Sequence, residues 1–459
     1  MTSSVEPGTS LARLRDRLEG RLITPSDPDY DATRSVVDGN FDGRPAAIAR
    51  VAHADDVARV VTFARETGME LAVRSGGHSG AGHGTTDGGL VIDLRELKGL
   101  DIDPVARTAW AGTGLTAVEV TTAAAAHNLG IGFGDTGSVG IGGITLGGGI
   151  GYLVRRDGMT IDNLLAAEIV TADGELLRVD EGSHPDLFWA IRGGGGNFGV
   201  ATRFLYRLQP LEQIVGGMLI LPATAETVAG FMAAAEDAPE ELSTIANMMN
   251  CPPMPFVPEE HHGSLIIFGL LCYAGEADAG ERAMAPFRAL AEPLADLVKP
   301  MPYPEMFPPE DPDYRPTAVA RTMFMDTFDA DDAATIVERL AASDASLRAV
   351  QLRVLGGAMA RVPGDATAFA HRSSRIMAIV VSFYEGAEDR ERRNAWVQDL
   401  AAALHQGYDG AYVNFLSDEG PDRVRAAYPG PTWERLAQVK ATYDPTNLFR
   451  RNQNVPPAR

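Results

Sequence analysis

Short apolar runs in the first 210 residues alternate with segments of helical periodicity. The runs predict β-strands at residues 46–51, 70–74, 90–94, 108–111 and 200–208. Helices are predicted at residues 55–67, 116–127 and 186–192, and Leu11, Leu14, Leu18 and Leu22 recur at a spacing that predicts an N-terminal helix. Asp173-Gly174, between strand-like runs at 166–171 and 175–179, predicts a hairpin. This half of the chain therefore combines helices and strands in alternation.

After Pro210 the pattern changes to longer helices separated by strongly apolar runs. Helices are predicted at residues 225–234, 278–290, 331–342 and 389–404, and strands at 263–273, 349–355 and 377–383. This order indicates an antiparallel sheet with helices on one face, an α+β domain. We expect a first domain at 1–210, with its core at about 43–210, a second domain at 211–430, and a C-terminal segment at 431–459 that packs back on the first.

Composition and charge exclude several classes of protein. The 459 residues carry 40 Lys and Arg against 62 Asp and Glu, a net charge of −22, so nucleic acid is not an expected partner. Cys251 and Cys272 are too few for a disulfide framework and fit a reducing cytoplasm. No secretory signal or run of 18 apolar residues is visible, so no membrane association is expected. We expect a monomer or a homodimer.

Glycine is concentrated in three windows of the first half. Residues 76–89 hold seven glycines, residues 130–151 hold eleven, and residues 193–199 hold five, together 23 of the 49 in the chain. Glycine costs about 0.5–1 kcal/mol relative to alanine inside regular structure. We therefore expect so many glycines only where the backbone must approach a ligand or another segment closely. A flexible linker is the alternative, but apolar anchors such as Ile141, Ile144 and Leu146 argue against it. We expect the windows to form ligand-binding loops.

Backbone N–H groups in glycine-rich turns bind phosphate, and several such loops together fit a ligand with a pyrophosphate and a large planar ring. A nicotinamide-binding fingerprint fits poorly because residues 140–145 lack its third glycine, and a P-loop lacks its Gly-Lys-Ser/Thr. A metal site at His78, His83 and Asp87 has no common zinc spacing, and no metal is expected. A histidine among such glycines, such as His78 or His83, can lie within bonding distance of the ligand that the loop binds.

Several longer motifs make the windows more specific. They are Arg74-Ser75-Gly76-Gly77-His78-Ser79, residues 87–94 (DGGLVIDL), residues 140–143 (GIGG), residues 147–152 (GGGIGY), residues 162–164 (DNL), residues 186–190 (DLFWA), residues 192–200 (RGGGGNFGV) and residues 443–449 (YDPTNLF). Together these residues resemble the berberine bridge enzyme-like FAD-linked oxidases. The resemblance implies the vanillyl-alcohol oxidase/p-cresol methylhydroxylase fold: a p-cresol methylhydroxylase-type FAD-binding domain of two α/β subdomains, plus a substrate domain with a helix-covered antiparallel sheet.

The resemblance also implies how the cofactor is held. In the family, the histidine that His78 matches carries FAD covalently through the flavin 8α-methyl group. Many members add a second link through a cysteine where this chain has Thr136, so a single link at His78 is expected, as in singly linked bacterial members. The further residues assigned to cofactor binding are Arg74, Ser75, Gly76, Gly77, Ser79, Thr136, Gly137, Val139, Gly140, Gly142, Gly143, Gly149, Asn163, Val200, Asn414 and Asn452.

Three positions concern the reaction and its pocket. Tyr412 matches a tyrosine that acts as a base in several members, although a tyrosine packed in the core is the alternative interpretation. A phenol with a pKa near 10 needs a nearby cation or hydrogen-bond donor to act at neutral pH. Phe415 departs from the family, which usually has tyrosine there. Val139 matches the family's oxygen gate, where valine is associated with oxidases and bulkier residues with dehydrogenases.

The resemblance therefore implies an FAD-dependent oxidoreductase of secondary metabolism. It would transfer hydride from a small organic substrate, an alcohol, an amine or a secondary metabolite, to covalently bound FAD, with reoxidation by O2 to hydrogen peroxide. A dehydrogenase with another electron acceptor is the first alternative. A non-catalytic flavin-binding protein is the second. Substrate identity is not expected to be readable, because residues 211–430 carry no comparable motif.

Overall fold

The computed structural model describes residues 7–311 and 313–459, with side chains from residue 11 onward. Residues 1–6, where the sequence shows no secretory signal, lie outside the described part. Within it, no helix is long and apolar enough to cross a membrane. Cys251 and Cys272 are buried free thiols. No group of three or more His, Cys, Asp or Glu side chains in these ranges is placed to hold a metal ion.

The N-terminal part forms a small mixed sheet with helices. Its strands are β1 (Arg21–Ile23), β2 (Ala47–Arg50), β3 (Leu71–Arg74) and β4 (Leu90–Asp93), and its helices are α1 (Pro7–Arg15), α2 (Tyr30–Arg34) and α3 (Ala54–Thr67). The strand order is β1-β2-β4-β3, with β4 parallel to both β2 and β3. Val57, Val60, Val61 and Ala64 of α3 are buried as their spacing predicts. The first glycine window begins where β3 ends.

The predicted N-terminal helix is wrong beyond Arg15. α1 ends there, and Leu22 lies in β1 rather than on a helix. The buried carboxylate of Asp56 accepts the N–H groups of Glu19 (3.0 Å) and Gly20 (2.8 Å). These bonds hold residues 19–20 in a turn that leads into β1, so the apolar spacing from Leu18 to Leu22 reflects two elements rather than one.

The rest of the first half holds a second sheet. Its part of the chain contains β5 (Leu100–Asp103), β6 (Thr108–Gly112), β7 (Leu129–Gly130), β8 (Leu164–Val170), β9 (Leu176–Val179), β10 (Val200–Arg207) and β11 (Gln209–Pro210). The sheet order is β5-β6-β10-β8-β9 with antiparallel neighbours, while β7 pairs with β11. The strands β8 and β9 form the hairpin predicted at Asp173-Gly174.

Helices of this region are α4 (Ala117–Ala125), α5 (Ile141–Gly147), α6 (Val154–Asp157) and α7 (Pro185–Ala190), with 3-10 turns at Thr160–Asn163 and Gly195–Asn197. The sequence predicted that the second glycine window is a loop. In the structure α5 lies inside it, so only part of the window is a loop. Ile141, Thr145 and Leu146 of α5 are buried at helical spacing, and this burial stabilises a helix despite its glycines.

The second half is built on a large antiparallel sheet. Its strands are β12 (Ile214–Pro222), β13 (Leu242–Asn250), β14 (Leu265–Tyr273), β15 (Ala295–Asp296), β16 (Lys299–Met301), β17 (Ala318–Met325), β18 (Arg348–Val354) and β19 (Ile376–Phe383). The order is β15-β12-β14-β13-β18-β19-β17, and β16 also pairs with β12. The predicted α+β class with a helix-covered antiparallel sheet is confirmed.

The helices on this sheet are α8 (Ala225–Asp237), α9 (Ala277–Arg288), α10 (Ala330–Ala342), α11 (Ala358–Arg361) and α12 (Gly386–Ala403), with 3-10 turns at Glu259–His261 and Tyr303–Met306. Buried residues of α8, α9, α10 and α12 share one apolar core with the sheet. After a 3-10 turn at Val413–Phe415, the chain ends with α13 (Pro421–Ala427) and α14 (Pro431–Tyr443). Leu436 and Val439 of α14 join the core of the second sheet.

A buried ion pair ties the C-terminal segment to the third glycine window. Lys440 and Asp444 have fully buried side chains, and Lys440 Nζ lies 2.7 Å from Asp444 Oδ2. Lys440 Nζ also donates to the carbonyl oxygens of Asn197 (2.6 Å) and Phe449 (2.8 Å). Asp444 in turn accepts the N–H groups of Leu448 and Phe449 (2.8 Å each). All three ammonium protons therefore have acceptors inside the protein.

Candidate functional site

A cavity of about 380 Å³ lies where the three glycine windows meet the C-terminal segment. Among the described residues, its wall comes from residues 71–84, 94, 134–150, 195–201, 412–416 and 449–453, and none between 202 and 411. The long antiparallel sheet therefore does not line this space directly. The arrangement explains why glycine is concentrated in distant parts of one half of the chain.

The first two windows are pressed against each other at Gly76 and Gly140. A Cβ atom on Gly76 would lie 2.3 Å from Gly140 N, and one on Gly140 would lie 2.2 Å from Gly76 N. Any side chain at either position would collide with backbone that has nowhere to move. Glycine at these two positions is therefore required by chain packing, and the wall of the cavity here is backbone.

His78 lies in this wall, held by a residue of the second window. Its Nε2 is 3.0 Å from Ser138 Oγ, and Ser138 Oγ donates to Glu310 Oε2 at 2.6 Å. Burial lowers the pKa of His78, against a smaller raising effect of Glu310. The imidazole is therefore neutral at physiological pH and available as a nucleophile or hydrogen-bonding group.

Tyr412 lines the cavity and is almost completely buried. Its phenol oxygen accepts hydrogen bonds from Gly149 N (2.8 Å) and Asn414 Nδ2 (2.9 Å). Burial raises the pKa of Tyr412 to about 12, although these donors and the nearby Arg353 act in the opposite direction. Tyr412 is therefore a neutral phenol at pH 7 in this arrangement.

A partly buried ion pair lies beside Tyr412 and joins the two halves of the molecule. Arg353 Nη2 of β18 is 2.5 Å from Oδ2 of Asp135, which lines the cavity, and Arg353 Nη1 donates to Ile150 O at 3.2 Å. The guanidinium carbon lies 5.2 Å from the ring centre of Phe415. Sequence reasoning missed this pair. A signal was present, because Gln351 and Arg353 put two neighbouring polar groups on one face of the strand.

Two asparagines and two further side chains line the same space. Asn414 donates to Ile144 O at 3.1 Å as well as to Tyr412. Asn452 donates to Gly196 O at 3.1 Å, but its Oδ1 is buried without a partner among the described residues. Ser75 Oγ donates to Thr113 O at 2.6 Å and so fixes the loop after β3. The buried guanidinium of Arg74 pairs with Asp93 Oδ2 at 3.2 Å.

The structure brings most of the sequence-predicted residues to one place. Those that line the cavity are Arg74, Ser75, Gly76, Gly77, His78, Ser79, Thr136, Val139, Gly140, Gly142, Gly143, Val200, Tyr412, Asn414 and Asn452. Three others do not line it. Gly137 packs against Phe307 and Val118, Gly149 lies behind Tyr412, and the Asn163 amide donates to Asp157 O and Met159 O.

His83 also lines the cavity, and burial lowers its pKa to about 4. With His78 and Asp87 it forms the alternative metal site of the sequence. In the structure, the Asp87 carboxylate instead accepts the Arg44 N–H at 2.8 Å. Arg451, Gln453 and Phe449, which sequence reasoning did not assign, complete the wall on the side of the C-terminal segment.

These features fit FAD. The cavity combines glycine backbone, a neutral histidine and the unpartnered Asn452 Oδ1, an acceptor that suits an N–H group on a planar ring. Gly143 and Gly196 line the cavity at positions where an added Cβ would meet no protein atom within 4 Å, so the space in front of them is open. The fold and the site together define an FAD-binding flavoenzyme.

Comparison with known proteins identifies the family. Residues 45–180 match the FAD binding domain family, and residues 411–456 match the berberine and berberine-like family. The chain is 30% identical over 462 residues to (R)-6-hydroxynicotine oxidase of Paenarthrobacter nicotinovorans, covering 96% of this chain and 97% of that one. The chain belongs to the berberine bridge enzyme-like FAD-linked oxidases, and it is an enzyme, an FAD-linked oxidoreductase.

Further similarities agree with this assignment. Xylooligosaccharide oxidase of Thermothelomyces thermophilus is 28% identical over 452 residues, covering 90% of this chain and 88% of that protein. The crystal structure of 6-hydroxy-D-nicotine oxidase from Arthrobacter nicotinovorans superposes with a TM-score of 0.84 at 28% identity, covering 96% and 98% of the two chains. The p-cresol methylhydroxylase-type fold expected from the sequence is confirmed.

Proposed function

We propose that the protein is an FAD-dependent oxidase that carries its cofactor on His78 and oxidises a small organic alcohol, amine or secondary metabolite. When bound, FAD supplies a two-electron acceptor for hydride, and O2 would return it to the oxidised state with release of hydrogen peroxide. The observation that carries the proposal is the neutral His78 imidazole in the wall of the glycine-lined cavity. Thr136, also in the wall, has no thiol for a second link.

The residues of the site would bind FAD, orient the substrate and exclude water. Backbone of the glycine windows would hold the phosphates, while Asn414 and Asn452 are suited to bond the ring. Tyr412 and Phe415, with ring centres 5.1 Å apart, line the cavity together with Asp135. We expect substrate C–H bonds to reach the ring near Phe415 and Asp135, because Arg353 of the second half of the chain contacts both residues.

Tyr412 is the proposed acceptor of the substrate O–H or N–H proton. Two N–H donors already point at its oxygen, and the Arg353 charge also favours the phenolate. Burial outweighs them, so the proton would be taken up efficiently only at high pH or when a bound substrate alters the surroundings. The rate of substrate oxidation should therefore increase with pH across the neutral range.

The oxidase assignment rests on Val139, which lines the cavity next to Ser138 and Gly140. Its position is the family's oxygen gate, and valine leaves more room than the bulkier residues associated with dehydrogenases. Peroxide formed per substrate oxidised tests this assignment. A yield near one supports an oxidase, whereas a low yield with rapid reduction of an artificial acceptor would support a dehydrogenase.

A first experiment tests the cofactor. Purified protein precipitated with acid should stay yellow, and colour released to the supernatant would rule out a covalent link. Flavin bleaching without oxygen, followed over a panel of sugars, amines and phenolic metabolites, then finds the substrate class. Failure of every class to bleach a bound flavin would favour a non-catalytic flavin-binding protein.

A further inference from the structure

Glu310 reaches the cavity wall from the segment that precedes β17. Its carboxylate holds Ser138 at two points, because Oε2 accepts the Ser138 hydroxyl at 2.6 Å and Oε1 accepts the Ser138 N–H at 3.1 Å. The segment is anchored on both sides. Phe307 is buried against Tyr303 (ring centres 5.6 Å apart), and Pro316 O accepts the Gly39 N–H at 2.9 Å. Glu310 is thus presented to Ser138 by the half of the chain that carries the long sheet.

The donors and acceptors in this contact determine where the histidine proton lies. A serine hydroxyl has one proton, and here it is directed to the Glu310 carboxylate, which can only accept. Ser138 Oγ can therefore only accept from His78 Nε2, 3.0 Å away, so Nε2 carries the proton. The lone pair is then on Nδ1, for which no hydrogen-bond partner exists among the described residues. Since burial keeps His78 neutral, Nδ1 is free to form a bond.

We propose that Glu310, acting through Ser138, is a positioning residue for attachment of FAD: it fixes the His78 tautomer so that Nδ1 forms the covalent bond, and it receives the Nε2 proton. This inference rests on the proposed covalent link at His78. It assigns a role to Glu310, in residues 302–311, which no sequence motif marked. It also makes attachment depend on contact between the two halves of the chain.

The step balances as a two-electron oxidation. A bond forms between His78 Nδ1 and the 8α carbon of FAD, and one C–H bond of the 8α-methyl group is broken. The Nε2 proton passes to Ser138 Oγ as the Ser138 proton passes to the carboxylate of Glu310. Molecular oxygen takes up the two electrons and, with the two protons released from the methyl group and the imidazole, gives hydrogen peroxide. Glu310 is exposed, so its proton can exchange directly with water.

The test measures covalent attachment rather than turnover. Full-length protein produced under riboflavin limitation is incubated with FAD in air, quenched in acid, and analysed by intact mass spectrometry for addition of one FAD per chain. In Glu310→Gln, which keeps the shape of the side chain but cannot take a proton, attachment should be about tenfold slower or more. Ser138→Ala should be slowed similarly, and the double variant should be no slower than the slower single one.

Glu305→Gln is the matched control. It removes one negative charge from the same segment, where Glu305 lies 3.7 Å from Lys299 and does not contact Ser138. It should attach FAD at the wild-type rate. Total FAD bound, extractable plus covalent, and the melting temperature should be unchanged in all variants. In Glu310→Ala, added formate should restore part of the lost rate, which a purely structural role would not allow.

Two results would overturn the inference, and they are distinguishable. If wild-type protein acquires no FAD mass after acid quenching, the proposed covalent link is wrong. The proton relay from His78 through Ser138 to Glu310 is then wrong as well. If wild type acquires the mass but Glu310→Gln and Ser138→Ala do so equally fast, the link stands and the relay alone is wrong. Covalent fractions of the proteins as purified from cells provide the same comparison without an apoprotein step.

Discussion

Replacing Lys440 with methionine should destabilise the protein strongly, although Lys440 does not line the cavity. Methionine has similar length but cannot donate a proton. The substitution leaves the fully buried Asp444 carboxylate without its cation and removes donors from Asn197 O and Phe449 O. Loss of one partner of a buried ion pair costs about 3–5 kcal/mol. The two backbone N–H groups that still bond Asp444 put the expected cost near the lower end of this range.

The assay is thermal unfolding followed by tryptophan fluorescence, together with total FAD content. With about 2–4 °C lost per kcal/mol for a unit of 150–250 residues, a cost near 3 kcal/mol should lower the melting temperature by roughly 6–12 °C. FAD content should also fall, because Asn452 and Gln453 are positioned by bonds to Gly196 and Asn197 of the same window. The double variant Lys440→Met with Asp444→Asn should recover part of the loss.

Lys299→Met is the matched control for Lys440→Met. Its partner Glu305 is 3.7 Å away, and both side chains are more than half exposed. Exposed pairs of this kind contribute about 0–1 kcal/mol, so the melting temperature should hardly change. Equal shifts in Lys440→Met and Lys299→Met would refute the reasoning that the buried pair holds the C-terminal segment in place.

Three further variants test the site. His78→Ala should still bind FAD without a covalent link but lose most activity; unchanged turnover would contradict the role of His78. Val139→Leu should slow flavin reoxidation by O2 in stopped-flow experiments while leaving anaerobic reduction by substrate nearly unchanged, and equal effects on both half-reactions would argue against a gate. Tyr412→Phe should abolish the increase of the anaerobic reduction rate with pH, because burial raises the pKa of Tyr412 to about 12 and wild type gains phenolate as pH increases; a pH dependence that survives would assign the base elsewhere.

Local signals predicted much of the fold. The spacing of Val57, Val60, Val61 and Ala64 was sufficient for α3, and Asp173-Gly174 marked the hairpin of β8 and β9. Such features depend on neighbours within a few residues. The N-terminal helix was overextended for the same reason, because Asp56, which fixes the turn at Gly20, is 36 residues away along the chain.

The site was predictable where it consists of motifs and unpredictable where it consists of contacts between distant segments. His78 and the glycine windows follow from the resemblance, and the structure brings them to one cavity. Asp135 and Arg353 are 218 residues apart, and Ser138 and Glu310 are 172 apart. No periodicity or motif joins such pairs, since their pairing depends on how the long sheet packs against the first half of the chain.

The backbone contact between Gly76 and Gly140 has a consequence for engineering this enzyme. Where two main chains touch, a side chain added at a glycine collides with backbone. Mutant libraries directed at the glycine windows should therefore yield mostly unfolded or cofactor-free protein. Useful variation in substrate range should instead come from Phe415, whose side chain lines the cavity, and from Arg353, which packs over its ring. The molecule thus separates a region that tolerates little mutation from one that can evolve.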